Sequence, residues 1–201
     1  MIYFAAAVVA YLLGSIPFGF IAGVIAGVDV RKHGSGNIGA TNILRVLGKR
    51  YGYAVFVADL LKGLMAVRIA LWLARFDPSK AYWIGILAAF FVVVGHSFPV
   101  WLRFRGGKGV AAAAGACLGL VPLVTLIAVV VWVVTFLIFR YVSLASIVAA
   151  VVLALAALLL GYAADPVLLI FTCLIAALII LRHRSNIIRL FQGREPRFER
   201  K

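Results

Sequence analysis

Residues 110–139 read VAAAAGACLGLVPLVTLIAVVVWVVTFLIF, and how this stretch divides decides the fold. As a single helix it would be about 45 Å long, well beyond the ~30 Å hydrocarbon core of a bilayer. Pro122 suits the first turn of a new helix, and Gly115 and Gly119 interrupt the residues before it. The stretch therefore predicts two helices, Val110–Leu120 and 121–139. The first, about 17 Å long, is too short to cross lipid unaided and has to pack within protein.

Working outward, five more apolar runs flank this pair: 2–24, 53–74, 82–102, 142–162 and 166–181. The first is broken at Gly14-Ser15-Ile16-Pro17, where proline favours a kink. The second contains Asp59, Lys62 and Arg68; the third carries His96 and Pro99 near its end. Asp59 and Lys62 are three apart and can pair inside the membrane. The 201-residue chain is 66% hydrophobic, with mean hydropathy +1.15. A soluble domain of this size could not cover so much apolar surface, so the expected class is all-α, polytopic and integral to a membrane.

Charge tests the count of seven. Of 20 Lys and Arg, sixteen lie on one side if there are seven segments: in 31–50, 103–109 and 182–201, and at Arg140. Arg75 and Lys80 lie on the other. Six segments would put the basic tail opposite the other islands. The positive-inside rule thus favours seven, with the N-terminus outside and the C-terminus cytoplasmic. The first Lys or Arg is Arg31, so a basic n-region before the first run is missing. The net charge of +14 then reports topology and anionic lipid or substrate rather than nucleic acid. Cys117 and Cys173 lie in apolar runs and suit packing, not a disulfide framework or metal site. No linker, repeat or low-complexity tract divides residues 1–201, which predicts one membrane-embedded domain.

The polar residues cluster in three islands, and all three histidines belong to them. Gly34-Ser35-Gly36-Asn37-Ile38-Gly39 matches G-x-G-x-x-G, with Asp59 twenty residues after Gly39. A dinucleotide reading fails because membrane runs, not a strand and crossover unit, surround it. What remains is local: small residues let amides approach an anion, while Ser35, Asn37, Thr41 and Asn42 add polar contacts. Residues 41–50 read as a short amphipathic element, with Ile43, Leu44, Val46 and Leu47 toward lipid and Arg45, Lys49 and Arg50 toward water.

The second island, His96 to Gly109, ends in Phe104-Arg105-Gly106-Gly107-Lys108-Gly109, which runs into the short helix at Val110, whose free N–H groups and positive dipole end favour phosphate. It is not a Walker A loop, because Leu102 stands where its first glycine belongs. His96, at the end of the third run, neighbours this loop. In the tail, a helix through His183, Asn186 and Arg189 would put those residues on one face. No cysteine lies in an island, and no paired carboxylates or metal-ligand cluster appears. No histidine has aspartate four residues later, those positions being Asn37, Val100 and Ile187. Chemistry that needs little acid–base help, with an already activated donor, suits this inventory.

These residues strongly resemble the bacterial acyl-phosphate-dependent glycerol-3-phosphate acyltransferase family (PlsY). The resemblance rests on Gly14-Ser15-Ile16-Pro17, on Gly34 through Asn42, and on Asp59-Leu60-Leu61-Lys62-Gly63. It continues through Gly95-His96 with Phe98-Pro99, Phe104 with Gly106-Gly107-Lys108-Gly109, and His183-Arg184 with Asn186, Arg189, Gly193 and Glu195. It implies a seven-span bacterial inner-membrane enzyme with its site facing the cytoplasm. The reaction implied moves a fatty acyl group from acyl phosphate to the 1-hydroxyl of sn-glycerol 3-phosphate, giving lysophosphatidate and phosphate in phospholipid synthesis. No cofactor, metal, nucleic acid or obligate protein partner is expected; membrane lipids are.

The expected catalytic residues are Ser35, His96, Lys108 and His183. The expected substrate-binding residues are Gly34, Gly36, Asn37, Thr41, Asn42, Arg45, Gly106, Gly107, Gly109, Asn186 and Glu195. Ser35, Asn37, Lys108 and the amides of 106–109 are expected around one phosphate, and Arg45, His183 and Asn186 around the other. The base is left open among His96, His183 and a substrate phosphate. The alternative class is a transporter for a phosphorylated small molecule, whose half-helix sites share this physics. A third, a non-catalytic protein of anionic lipid, explains the basic tail but neither glycine motif.

Overall fold

The computed structural model describes residues 1–198. Ten α-helices follow in order: α1 (Ile2–Ser15), α2 (Phe18–Ile25), α3 (Ala40–Leu47), α4 (Lys49–Leu73), α5 (Ala81–Ser97), α6 (Val110–Leu120), α7 (Pro122–Phe139), α8 (Val142–Leu159), α9 (Pro166–Arg182) and α10 (Arg184–Phe191). The chain forms two compact units that divide at Leu120 and Val121, inside the stretch whose reading was in question. Pro122 opens α7 as its first helical residue.

Among the described residues, four helical stretches are long and apolar enough to cross a membrane: Ile2–Ile25 taken across its break, Pro78–Leu102, Pro122–Phe139 and Val142–Leu159. The pair Pro166–Arg182 and Arg184–Phe191, bent by 59°, makes a fifth if counted as one. The charges of α4 and the 11 residues of α6 keep those two helices outside this set. Large side chains point outward along the apolar helices, for example Val130, Leu137 and Ile138 on α7 and Leu159 on α8. In water such a surface would be an aggregation hazard; in lipid it is the expected exterior.

In the first unit, glycine sets the helix spacing. A Cβ at Gly14 would strike the Val92 carbonyl, and one at Gly95 the Tyr11 carbonyl, so α1 and α5 pack backbone to backbone. Gly63 lies against the Ala112 carbonyl and Gly115 against that of Leu60, which brings α4 and α6 equally close. Small residues serve this way where apolar lipid supplies no drive for helices to associate. The short α6 is covered on α4 as its length requires; Ala112, Ala113, Ala116 and Cys117 are buried.

Several boundaries differ from expectation for identifiable reasons. α4 begins at Lys49, because Gly48 at φ 89° turns the chain directly out of α3. Lys49 and Arg50 therefore belong to α4. α5 stops at Ser97, two residues before Pro99, and a single 3-10 turn covers Val100–Leu102. The apolar face of α3 is not all toward lipid. Ile43 is fully buried with Val30, Ile38, Val55 and Ala22, and Leu47 packs on that cluster.

In the second unit, α7 and α8 are tied by Trp132, whose Nε1 donates to Ser146 Oγ at 3.2 Å. Arg140, left-handed at φ 62°, ends α7. Its carbonyl accepts the Phe198 amide at 2.8 Å, which straps the tail across the α7–α8 turn.

Candidate active site

The first island is a loop built by its own polar side chains. Asn42, buried in the first turns of α3, accepts the Ser35 amide on Oδ1 at 2.8 Å. Its Nδ2 donates to the carbonyls of Val30 at 3.3 Å and His33 at 3.2 Å. Gly34 and Gly36 are left-handed, at φ 59° and 69°, and a Cβ on Gly34 would collide with Asn42 Oδ1. Asn37 Oδ1 takes the Gly39 amide at 2.8 Å and so shapes the entry to α3. These four residues thus hold the loop, and Ser35 is left exposed at its tip. Thr41 lies half-buried in the first turn of α3 and Arg45 is exposed near its end.

Asp29 makes no motif in the sequence, yet it frames the loop. Its carboxylate accepts from the Arg31 amide at 3.1 Å and from the Arg31 guanidinium at 2.8 and 3.0 Å. That guanidinium holds its pKa down to about 2. Arg31, stacked 4.6 Å from the centre of the Phe20 ring, thereby belongs to the loop's frame.

The second island folds back on the end of α5. The Gly106 amide donates to the Ser97 carbonyl at 3.2 Å and the Gly107 amide to the His96 carbonyl at 3.1 Å. Those two amides are therefore engaged within the protein, unlike the expected cradle of four. Gly106 and Gly107 are needed for space: a Cβ on Gly106 would meet the His96 carbonyl, and one on Gly107 would meet His96 Nε2. Arg103 and Phe104, both left-handed, turn the chain into this loop. Gly109, at φ 82°, delivers it into α6, leaving half-buried Lys108 at the helix entrance.

His96 is buried, and its Nδ1 lies 3.4 Å from Asp59 Oδ1, which also pairs with Lys62 Nζ at 2.8 Å. His96, Asp59, Lys62, Ile38 and Pro99 line one narrow crevice. Leu102 packs on the cluster of Val30, Ile38 and Ile43. The structure thus brings the first two islands to the same end of the first unit.

The tail is organised around Glu195. Its Oε1 accepts from Ser143 Oγ and from Asn186 Nδ2, each at 2.7 Å, and its Oε2 accepts from Arg189 Nε at 2.8 Å. Burial opposes its ionisation, but the three donors outweigh that and hold its pKa below the ordinary glutamate value. Asn186 and Arg189 share α10 as expected, whereas His183 sits at the break between α9 and α10. His183 Nδ1 lies 2.8 Å from the Ile179 carbonyl. A carbonyl only accepts, so Nδ1 carries a hydrogen in this contact. Ser143 was missed, since a lone serine in an apolar helix has no pattern of its own.

Comparison with known proteins identifies the family. The family model of glycerol-3-phosphate acyltransferases matches residues 4–193. A glycerol-3-phosphate acyltransferase of Trichlorobacter lovleyi is 48% identical over 190 residues, covering 94% of each chain. One of Staphylococcus aureus is 42% identical over 193 residues, again 94% of each. Two crystal structures of PlsY, an integral membrane glycerol 3-phosphate acyltransferase, are similar throughout. Its glycerol 3-phosphate form gives a TM-score of 0.89 at 44% identity over 98% of this chain and 96% of that one. Its lysophosphatidic acid form gives 0.86 at 43% identity over 98% and 95%. This chain belongs to the glycerol-3-phosphate acyltransferase family.

Proposed function

We propose that this protein is a membrane acyltransferase that acylates the 1-hydroxyl of sn-glycerol 3-phosphate, making lysophosphatidate for phospholipid synthesis. The observation that carries this is similarity along nearly the whole chain to an enzyme crystallised in both a glycerol 3-phosphate form and a lysophosphatidic acid form. The donor is acyl phosphate. The glycerol oxygen attacks the acyl carbon, the bond from that carbon to the phosphate oxygen breaks, and phosphate leaves. Because the donor is a mixed anhydride, positioning and charge stabilisation supply most of the catalysis.

In the first unit, Ser35, Asn37 and Lys108 serve one phosphate, with Gly34, Gly36, Asn42, Gly106, Gly107 and Gly109 shaping the loops that present them. Arg45, with Thr41 beside it on α3, also binds substrate in the first unit; in the second unit His183 and Asn186 bind substrate, supported by Glu195. The hydroxyl proton passes to His96, His183 or a substrate phosphate. The hydroxyl attacks directly, without an acyl-enzyme.

The seven helical segments are read as seven crossings, with α6 seated against α4, the N-terminus outside and the three islands on the cytoplasmic face of a bacterial inner membrane. The two units work as one catalytic domain. The distribution of Lys and Arg supports this orientation. No protein partner is invoked. Transport of a phosphorylated molecule is not favoured, since the full-length relatives are acyltransferases.

Purified protein in detergent, given acyl phosphate and glycerol 3-phosphate, is expected to form lysophosphatidate without any second compartment. Absence of product from folded protein contradicts the reading.

A further inference from the structure

Three interruptions of regular structure in the first unit converge on one buried ion pair. The α1–α2 helix breaks at Ile16-Pro17, α5 ends at Ser97, and the glycine loop turns back at Gly106 and Gly107. Lys62 Nζ donates to Asp59 Oδ1 at 2.8 Å and to the Ile16 carbonyl at 2.8 Å. Asp59 and Lys62 are only 2% and 7% exposed. Replacing such a pair by apolar residues of similar volume is often neutral or stabilising. Stability alone therefore does not account for a carboxylate and an ammonium at this depth.

What the pair faces is more informative. Asp59 Oδ1 is 3.4 Å from His96 Nδ1, and a carboxylate can only accept. Hydrogen on Nδ1 suits that contact, and the Nε2 edge of the ring lies opposite. On that edge lies Gly107, whose missing Cβ leaves room for Nε2. The backbone of the same loop hangs on the carbonyls of His96 and Ser97. The chain of contacts runs from Ile16 through Lys62, Asp59 and His96 to Gly107, one residue before Lys108. A carboxylate that orients a functional imidazole is a recurrent device of active sites.

We propose that Asp59, held in place by Lys62, is the positioning residue for His96, and through His96 sets the glycine loop that presents Lys108 to phosphate. The proposal rests on the reading of that loop as a phosphate holder. Asp59 touches no reacting atom; it acts through the ring.

The test compares D59N/K62M, H96Q, the combined triple variant and K108A, each purified in detergent and assayed with acyl phosphate and glycerol 3-phosphate. D59N/K62M removes both charges together, so no lone charge is left buried. It is expected to keep the parent's unfolding midpoint while kcat/KM falls tenfold or more. The triple variant is expected to lose no more than H96Q alone, because the effects run through one ring. Parental kcat/KM in D59N/K62M, with K108A inactive, overturns the positioning role and leaves the phosphate loop standing. Losses that multiply in the triple variant also overturn it. Full activity of K108A overturns the loop reading and this proposal with it. If D59N/K62M does not fold, nitrogen-15 spectra of the histidine-labelled parent decide, with H96Q assigning the signal. Hydrogen on Nδ1 of His96 is expected, and hydrogen on Nε2 alone overturns the proposal.

Discussion

The Ser143 hydroxyl donates to Glu195 Oε1 at 2.7 Å, joining the start of α8 to a tail 52 residues further along the chain. Asn186 and Arg189 complete the set of donors on the same carboxylate. Glu195 is thus the anchor that holds α10 in place.

Removing that charge should loosen the second unit. E195Q weakens the bond to Arg189 and leaves one acceptor too few, an expected cost of about 1–3 kcal/mol. The pH dependence follows from the lowered pKa of Glu195. Its stabilisation is complete above the pKa of an unfolded glutamate and is lost as pH falls through the lower, folded value. Unfolding midpoints in detergent between neutral and acid pH should show this fall in the parent and a smaller one in E195Q. Parallel curves would remove Glu195 from the account of acid stability.

Ser35 and Asn42 should separate cleanly. S35A changes an exposed tip, so activity should drop while the unfolding midpoint stays. N42A deletes an acceptor for the Ser35 amide and two donors in a buried position. It should lower both activity and stability, the latter by about 1–3 kcal/mol. An N42A enzyme of parental stability with weakened substrate binding would return Asn42 to direct contact.

Lys108 is the positive charge of the second island nearest the start of α6. K108A should leave the solubilised fold intact and cost roughly 10²–10³ in rate, the usual loss for one charge-stabilising contact. Near-normal turnover would remove Lys108 from the site.

The close approach of α4 and α6 should be intolerant of even one methyl. G63A places a Cβ against the Ala112 carbonyl and should destabilise by about 1–3 kcal/mol. An unchanged midpoint would show that the two backbones can part without cost.

The helices were legible because apolar run length and proline placement leave few choices in a membrane. Pro122 divided the ambiguous stretch where the structure divides it, and the pairing of Asp59 with Lys62 followed from their spacing. The inside of the islands was not legible. Residue type says that Asn42 can bind phosphate; only the fold shows its amide satisfying Val30, His33 and Ser35. Gly106 and Gly107 suit an anion loop equally well whether their amides face a ligand or, as here, Ser97 and His96. The apolar face of α3 matched a lipid-facing pattern, yet Ile43 packs inside, since periodicity gives a face and not what covers it. Ser143 and Asp29 act through partners fixed by geometry, one distant and one local, and neither makes a motif.

The central claim is acyl transfer from acyl phosphate to glycerol 3-phosphate. Purified protein should therefore be given glycerol 3-phosphate with acyl phosphate or with an acyl thioester, scoring lysophosphatidate and released phosphate together. The account predicts product from acyl phosphate alone, with one phosphate released for each lysophosphatidate formed. Product from the thioester only, or phosphate release without lysophosphatidate, would contradict it.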